Sequence, residues 1–130
     1  MNEIAEPALL PDERVQLAKG VAEFNDGLYF ECHDTLEELW SGIRGPSRDF
    51  FQGLIQVSVG LYHFGNDNRE GARSMFERAL KRLEKYPARY AGFEVEAERR
   101  RLRAWHAALS ASSALAIERP SWRFEEPAAS

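Results

Sequence analysis

His33 and Glu37 stand four residues apart in the stretch ECHDTLEELW. On a helix that spacing brings an imidazole and a carboxylate to one point, because residues four apart stack along one face. Three chemistries suit the pair. It can belong to a buried hydrogen-bond network that fixes helix register; it can be an acid and a base facing a small-molecule pocket; or, with His63 as a third ligand, it can hold a divalent metal and leave a coordination position for water. His33, Glu37 and His63 are therefore the candidates for catalytic or metal-ligating work. No metal assignment is firm, since two histidines and one carboxylate make a thin ligand set and glutamine is a poor zinc ligand. HDTLE lacks the second histidine of a zincin helix, and no Glu-x-x-His pair of the di-iron bundles occurs.

The elements that must position these residues are helices. DFFQGLIQVSVGLYHF is apolar or small on every side, the pattern of a helix buried all round. At about 100° per residue, Gln52, Gln56 and His63 fall within a sector of roughly 40°, a polar seam on that helix. A buried amide or imidazole without a partner costs roughly 1–3 kcal/mol, so the seam must meet other polar groups. On the preceding helix Tyr29, Cys32, Leu36, Leu39 and Trp40 share an apolar arc with His33 and Glu37 at its edge, while Glu31, Asp34, Thr35 and Glu38 point away. The short SGIRGPS connection makes the two helices antiparallel neighbours. His33, Glu37, Gln56 and His63 are thus expected as one largely buried cluster, and Glu37→Ala is expected to cost on the order of 1–3 kcal/mol.

Hydrophobic spacing and Gly, Pro and Asn stops divide the whole chain into about five helices: from just after Pro11 to about Gly27, about Tyr29 to Trp40, Ser47 to Phe64, Arg69 to Tyr86, and Phe93 to Ser110. No strand is required. The first is expected to turn Val15, Ala18, Val21 and Ala22 inward, and Arg99, Arg100, Arg101 and Arg103 read as a solvated face. Shifting the chain by 40 positions aligns Phe24, Cys32, Leu36 and Leu39 with Phe64, Ala72, Phe76 and Ala79, a weak helix-hairpin repeat. The expected organisation is one all-α domain over 1–130, with an N-terminal extension at 1–11, a helical core at 12–110 and a weakly structured C-terminal tail at 111–130. Trp122 and Phe124 in that tail are expected to pack on the bundle or into a neighbouring chain.

The totals exclude several classes. A chain of 130 residues, 44% hydrophobic and 29% charged, can bury one core, and no apolar run is long enough to span a bilayer. A net charge of −4 argues against nucleic acid and anionic lipid as partners. One cysteine, Cys32, forms no internal disulfide and reads as a small core residue; with no signal-peptide pattern at the start, a cytoplasmic location is expected.

FNDGLYFECHDTLEELW followed by FFQGLIQVSVGLYHF resembles the DUF309 family, a domain of unknown function, over about residues 11 to 86. The resemblance rests on Phe24, Asn25, Gly27, Tyr29, Phe30, Cys32, His33, Asp34, Leu36, Glu37 and Trp40, then on Gln52, Gly53, Leu54, Ile55, Gln56 and His63. Cys32 stands where alanine is common and Asp34 where glutamate is usual. The resemblance implies an all-helical bundle with a buried central helix and no established activity. The expected function is a non-enzymatic binding or scaffold module held by its buried polar cluster, with Asn25, Tyr29, Trp40, Gln52 and Gln56 as binding candidates; the alternative is a small enzyme or metal-binding protein using His33, Glu37 and His63. No cofactor is expected on the first reading, and a divalent metal belongs to the second. The partner is an unidentified protein or small molecule, with homodimerisation open through the tail.

Overall fold

The computed structural model describes residues 4–126. Its elements are α1 (Pro11–Asn25), α2 (Tyr29–Gly42), α3 (Arg48–Gly65), α4 (Arg69–Leu83), β1 (Arg89–Tyr90), β2 (Phe93–Glu94) and α5 (Val95–Ser110). The bundle is all-helical apart from the small hairpin. Each helix packs chiefly on its neighbours in the chain, and α3, central as expected, contacts α2 on one side and α4 more extensively on the other.

Local chemistry starts and stops these helices. Pro11 occupies the first turn of α1, where its missing N–H costs nothing, and the Glu13 carboxylate accepts the Leu10 N–H at 2.9 Å. Asn68 caps α4 by accepting the Gly71 N–H at 2.9 Å. The inward face of α1 is Leu17, Gly20, Val21 and Phe24. Val15, 70% exposed, and Ala22 lie outside, contrary to the sequence expectation. The reason is that α1 packs chiefly on one helix, α2, so its buried stripe is narrow and Val15 and Ala22 fall outside it.

The 40-residue offset is the architecture of the bundle. α1 ends at Asn25 and α3 at Gly65; α2 begins at Tyr29 and α4 at Arg69. The crossings repeat as well: a Cβ on Gly20 would lie 2.7 Å from Leu36 Cδ2, and one on Gly60 would lie 2.6 Å from Phe76 Cε1. Both connections pass through a left-handed residue, Gly27 at φ 78° and Asp67 at φ 59°. Cys32 and Ala72, the small residues at equivalent places, are wholly buried. Two helix hairpins thus stack, and α5 closes the second.

The β hairpin was not expected from the sequence. Its Ala91–Gly92 corner has φ of 53° and 85°, the doubly left-handed two-residue turn that matches strand twist, but an alanine at its first position hides it from pattern reading. The strands take Phe93 and Glu94, so α5 starts at Val95, later than the spacing suggested. α4 stops at Leu83, and buried Arg99 explains how: its Nη1 donates to the Leu83 and Tyr86 carbonyls, both at 2.8 Å, while its Nε meets Glu96. Arg99 therefore belongs to the interior and completes the C-terminal end of α4, whereas Arg100 and Arg103 are exposed as expected. Residues 4–10 lie against the hairpin, where Tyr90 Oη donates to the Ala5 carbonyl at 2.6 Å and Glu6 accepts the Ala91 N–H at 2.7 Å. The segment after α5 folds back across α1 and α5, so that Trp122 is 5% exposed and packs on its own bundle. Residues 127–130 of the expected tail lie outside the described residues.

Candidate functional site

His33 is half-buried on α2 between two carboxylates. Its Nε2 lies 3.1 Å from Glu37 Oε1 and its Nδ1 3.4 Å from Asp34 Oδ1. The three residues offer ligand atoms within 4.8 Å of one another, a grouping common among exposed acids without an ion. Glu37 is more than half exposed, and His63 is apart from the pair, its Nδ1 3.4 Å from Asn68 Nδ2. Gln56 is buried and accepts from Arg82 Nε at 3.1 Å; half-buried Gln52 shares a depression with Asp49, Lys85 and Tyr86. The expected single cluster of His33, Glu37, Gln52, Gln56 and His63 is therefore not formed: among the described residues no hydrogen bond joins Gln52, Gln56 or His63 to His33 or Glu37.

The crossing of α2 on α3 supplies the reason. Gln56 on the polar seam of α3 meets Arg82 of α4, and where α2 meets α3 the buried groups in contact are Cys32 and Ser58. Cys32 Sγ and Ser58 Oγ meet there at 3.2 Å. Burial pushes the Cys32 thiol up to about 12, although the Ser58 hydrogen bond works the other way, so the sulfur is a protonated core group at neutral pH. Thr35, expected outside, is buried because its methyl lies beside Gly20. With Glu37 in water, Glu37→Ala is now expected to change stability by no more than about 0.5 kcal/mol, because exposed ion pairs contribute little. Urea denaturation midpoints check this; a loss above about 1 kcal/mol would restore the buried-network account.

The polar contact that does tie α3 to α4 is centred on Asp49. It accepts from Arg82 Nη1 and Lys85 Nζ, and Arg82 continues to Gln56. Burial acts to raise the Asp49 pKa, but the Lys85 hydrogen bond and the two cationic charges outweigh it and hold it below the ordinary carboxylate value. A carboxylate with a depressed folded-state pKa stabilises the fold above its unfolded value, roughly 3.9 for aspartate, and loses that contribution as pH falls through the folded value. Stability measured between pH 6 and pH 3 should therefore fall less steeply in Asp49→Asn than in the parent chain. Identical slopes would show that the staple contributes nothing.

The other candidates are placed as follows. Asn25 bonds the main chain of Trp122 in both directions. Tyr29 sets its half-buried ring edge-on to Phe24 at 5.5 Å, and burial raises its pKa against the opposing charge of Arg119. Trp40 is covered by the Arg48 guanidinium, 3.7 Å from its ring centroid, while Arg48 donates to the Trp40 and Ile43 carbonyls.

What periodicity missed is a surface. Phe30 and Tyr62 are 47% and 43% exposed with ring centroids 5.5 Å apart; His33 lies 5.7 Å from Phe30 and His63 6.2 Å from Tyr62. Exposed Leu28 extends this strip, and a shallow groove of about 390 Å³ runs between Leu28, Phe30, Leu61 and Tyr62. The signal was available in Phe30, which falls just beyond the apolar arc of α2. Acidic side chains border the strip: Glu31 lines the groove and Asp34 and Glu37 flank His33, while Glu38 turns to Gln16 of α1; α2 carries neither Lys nor Arg.

Fold and surface together define a small helical-hairpin bundle with an aromatic, acid-bordered face. Residues 17–75 match the family described as Domain of unknown function (DUF309). This segment contains both halves of the quoted motif and the whole aromatic strip. Residues of the chain are also similar to Uncharacterized protein YpuF of Bacillus subtilis (strain 168), with 37% identity over 57 residues, which is 43% of this chain and 33% of that protein. The chain thus matches about a third of the length of that curated relative. No described helix is long and apolar enough to cross a membrane.

Proposed function

We propose that this chain is a non-enzymatic protein-binding module whose contact face is the aromatic strip of α2 and α3, and that its partner presents an apolar side chain flanked by lysine or arginine. The observation that carries this reading is the pair of exposed rings, Phe30 and Tyr62, beside a helix with four acidic residues and no Lys or Arg. Adjoining exposed aromatics are the usual anchors of an interface, and a one-sign border selects and steers a partner of opposite charge. His33, held by Asp34 and Glu37, fits the rim of such a face. The alternative, a metal or catalytic role, is favoured only by the closeness of His33, Asp34 and Glu37.

Fluorescence anisotropy with an amphipathic Leu/Lys helical peptide, and with its Leu/Glu counterpart as control, tests the proposal. The full chain should bind the basic peptide, more weakly as salt rises, and Phe30→Ala combined with Tyr62→Ala should weaken binding at least tenfold. Equal binding by the double variant contradicts it. Zinc titration supplies the other arm: a stoichiometric site abolished by His33→Ala would support the metal reading instead.

A further inference from the structure

The net charge of −4 conceals two unlike stretches of chain. Residues 1–42, which end with α2, carry ten acidic and two basic side chains, whereas residues 43–130 carry eleven acidic and fifteen basic. The first stretch is therefore at −8 and the second at +4. Since α2 and α4 both pack on α3, from different sides, the division is spatial as well as sequential. Separated charge of this kind orients an approaching body of matching polarity over roughly a Debye length, about 10 Å at 0.1 M salt.

The basic side has a definite face. At about 100° per residue, Ser74, Arg78 and Lys81 share the outer surface of α4, opposite the buried Ala72, Phe76, Ala79 and Leu83. The other cations of that helix are engaged within the fold: Arg69 donates to the Ser113 carbonyl at 2.7 Å, Arg73 pairs with Glu70 at 2.6 Å, and Arg82 holds Asp49 and Gln56. Arg78 and Lys81 are exposed and, among the described residues, enter no ion pair or hydrogen bond. Half-buried Leu80 stands between them in the chain. This face thus presents two uncommitted cations beside an apolar side chain, the chemistry that the Phe30–Tyr62 strip calls for. On the strip, the ring faces attract a guanidinium or ammonium, and exposed Glu31, Asp34 and Glu37 supply the opposing charge.

We propose that the partner of the aromatic strip is a second copy of this chain, which docks the Arg78–Lys81 face of its α4 on Phe30 and Tyr62. The inference rests on the strip being the binding face and names what occupies it. Strip and basic face are different surfaces, so the contact is heterologous: a dimer keeps one free face of each kind and can add further copies head to tail.

Sedimentation velocity of the full chain tests it. At about 0.02 M salt the average mass should rise with protein concentration, and at about 0.5 M salt, where screening is strong, it should return to the 14.8 kDa of one chain. Phe30→Ala with Tyr62→Ala removes the strip, and Arg78→Glu with Lys81→Glu removes the basic face. All four side chains are exposed, so both variants should keep the parent circular dichroism; Arg78→Gln with Lys81→Gln replaces the charge reversal if that one unfolds. Each variant alone should be monomeric. Mixed, the two should give a 1:1 heterodimer and nothing larger, because each retains the face that the other lacks. The Leu/Lys peptide should dissociate the parent assembly, and it should bind the Arg78→Glu, Lys81→Glu variant as tightly as the parent. A parent chain that stays monomeric at millimolar concentration and low salt, or self-association that survives loss of Arg78 and Lys81, overturns the second copy as the partner. Peptide binding in the same samples would leave the strip standing; its absence would overturn the strip as well.

Discussion

Trp122→Ala is expected to lower the unfolding free energy by about 3 kcal/mol, near the lower bound for truncating a buried aromatic. The indole is 5% exposed, lies flat against Phe24 and saturates Glu98. Alanine removes the stack and strips a nearly buried carboxylate of its neutral donor, leaving Arg101 as its remaining partner. The loss stays at the low end because the segment can leave the body without unfolding α1 to α5. Trp122→Phe separates the contributions: it keeps a ring over Phe24 but loses the N–H, and should fall between parent and alanine. Urea denaturation followed by far-UV circular dichroism measures all three. An unchanged midpoint for Trp122→Ala would mean that the segment is not docked in solution.

Gly60→Val is expected to cost about 3 kcal/mol, the upper part of the range for overpacking a core. A Cβ at this position would sit 2.6 and 2.7 Å from two ring carbons of Phe76 and 3.3 Å from Met75 Cβ, and the ring is fully buried with little room to retreat. Gly20→Val should cost less, because the first atom met is Cδ2 of Leu36, the end of a flexible side chain, although the repeat makes the two positions equivalent. Gly65→Ala is the control: nothing lies within 4 Å, so the change should be neutral or favourable by up to about 0.5 kcal/mol through helix propensity. Thermal unfolding of the three variants ranks them. Gly60→Val unfolding at the parent temperature would contradict the close α3–α4 crossing.

The helices were legible because their signals are local. Pro11, the Gly27 and Asn66–Asn68 breaks, and the all-round apolarity of α3 each specify a boundary or a burial state without reference to the rest of the fold. The 40-residue offset was legible too, since Cys32 and Ala72 must be small where helices cross. What escaped depends on which neighbour a face meets. Periodicity put Gln52, Gln56 and His63 on one seam, yet it could not say that Gln56 meets Arg82 on α4 instead of His33 on α2. Val15 and Thr35 exchanged sides for the same reason: the width of a buried stripe is set by the packing partner. Arg99 was read as solvated because nothing in a run of arginines says that one of them must supply donors to the end of another helix. Trp122 is covered, as its apolar ring requires, but its hold through Asn25 joins residues 97 apart, a contact that no local spacing reports.

The most direct test of the aromatic face as the binding surface is ¹⁵N–¹H chemical-shift mapping of the full chain with the Leu/Lys peptide. Shifts should centre on residues 28–37 and 61–66, diminish with salt, and leave the Trp122 indole signal in place. Shifts centred on Trp122 and α5, or none up to millimolar peptide, would contradict the proposal.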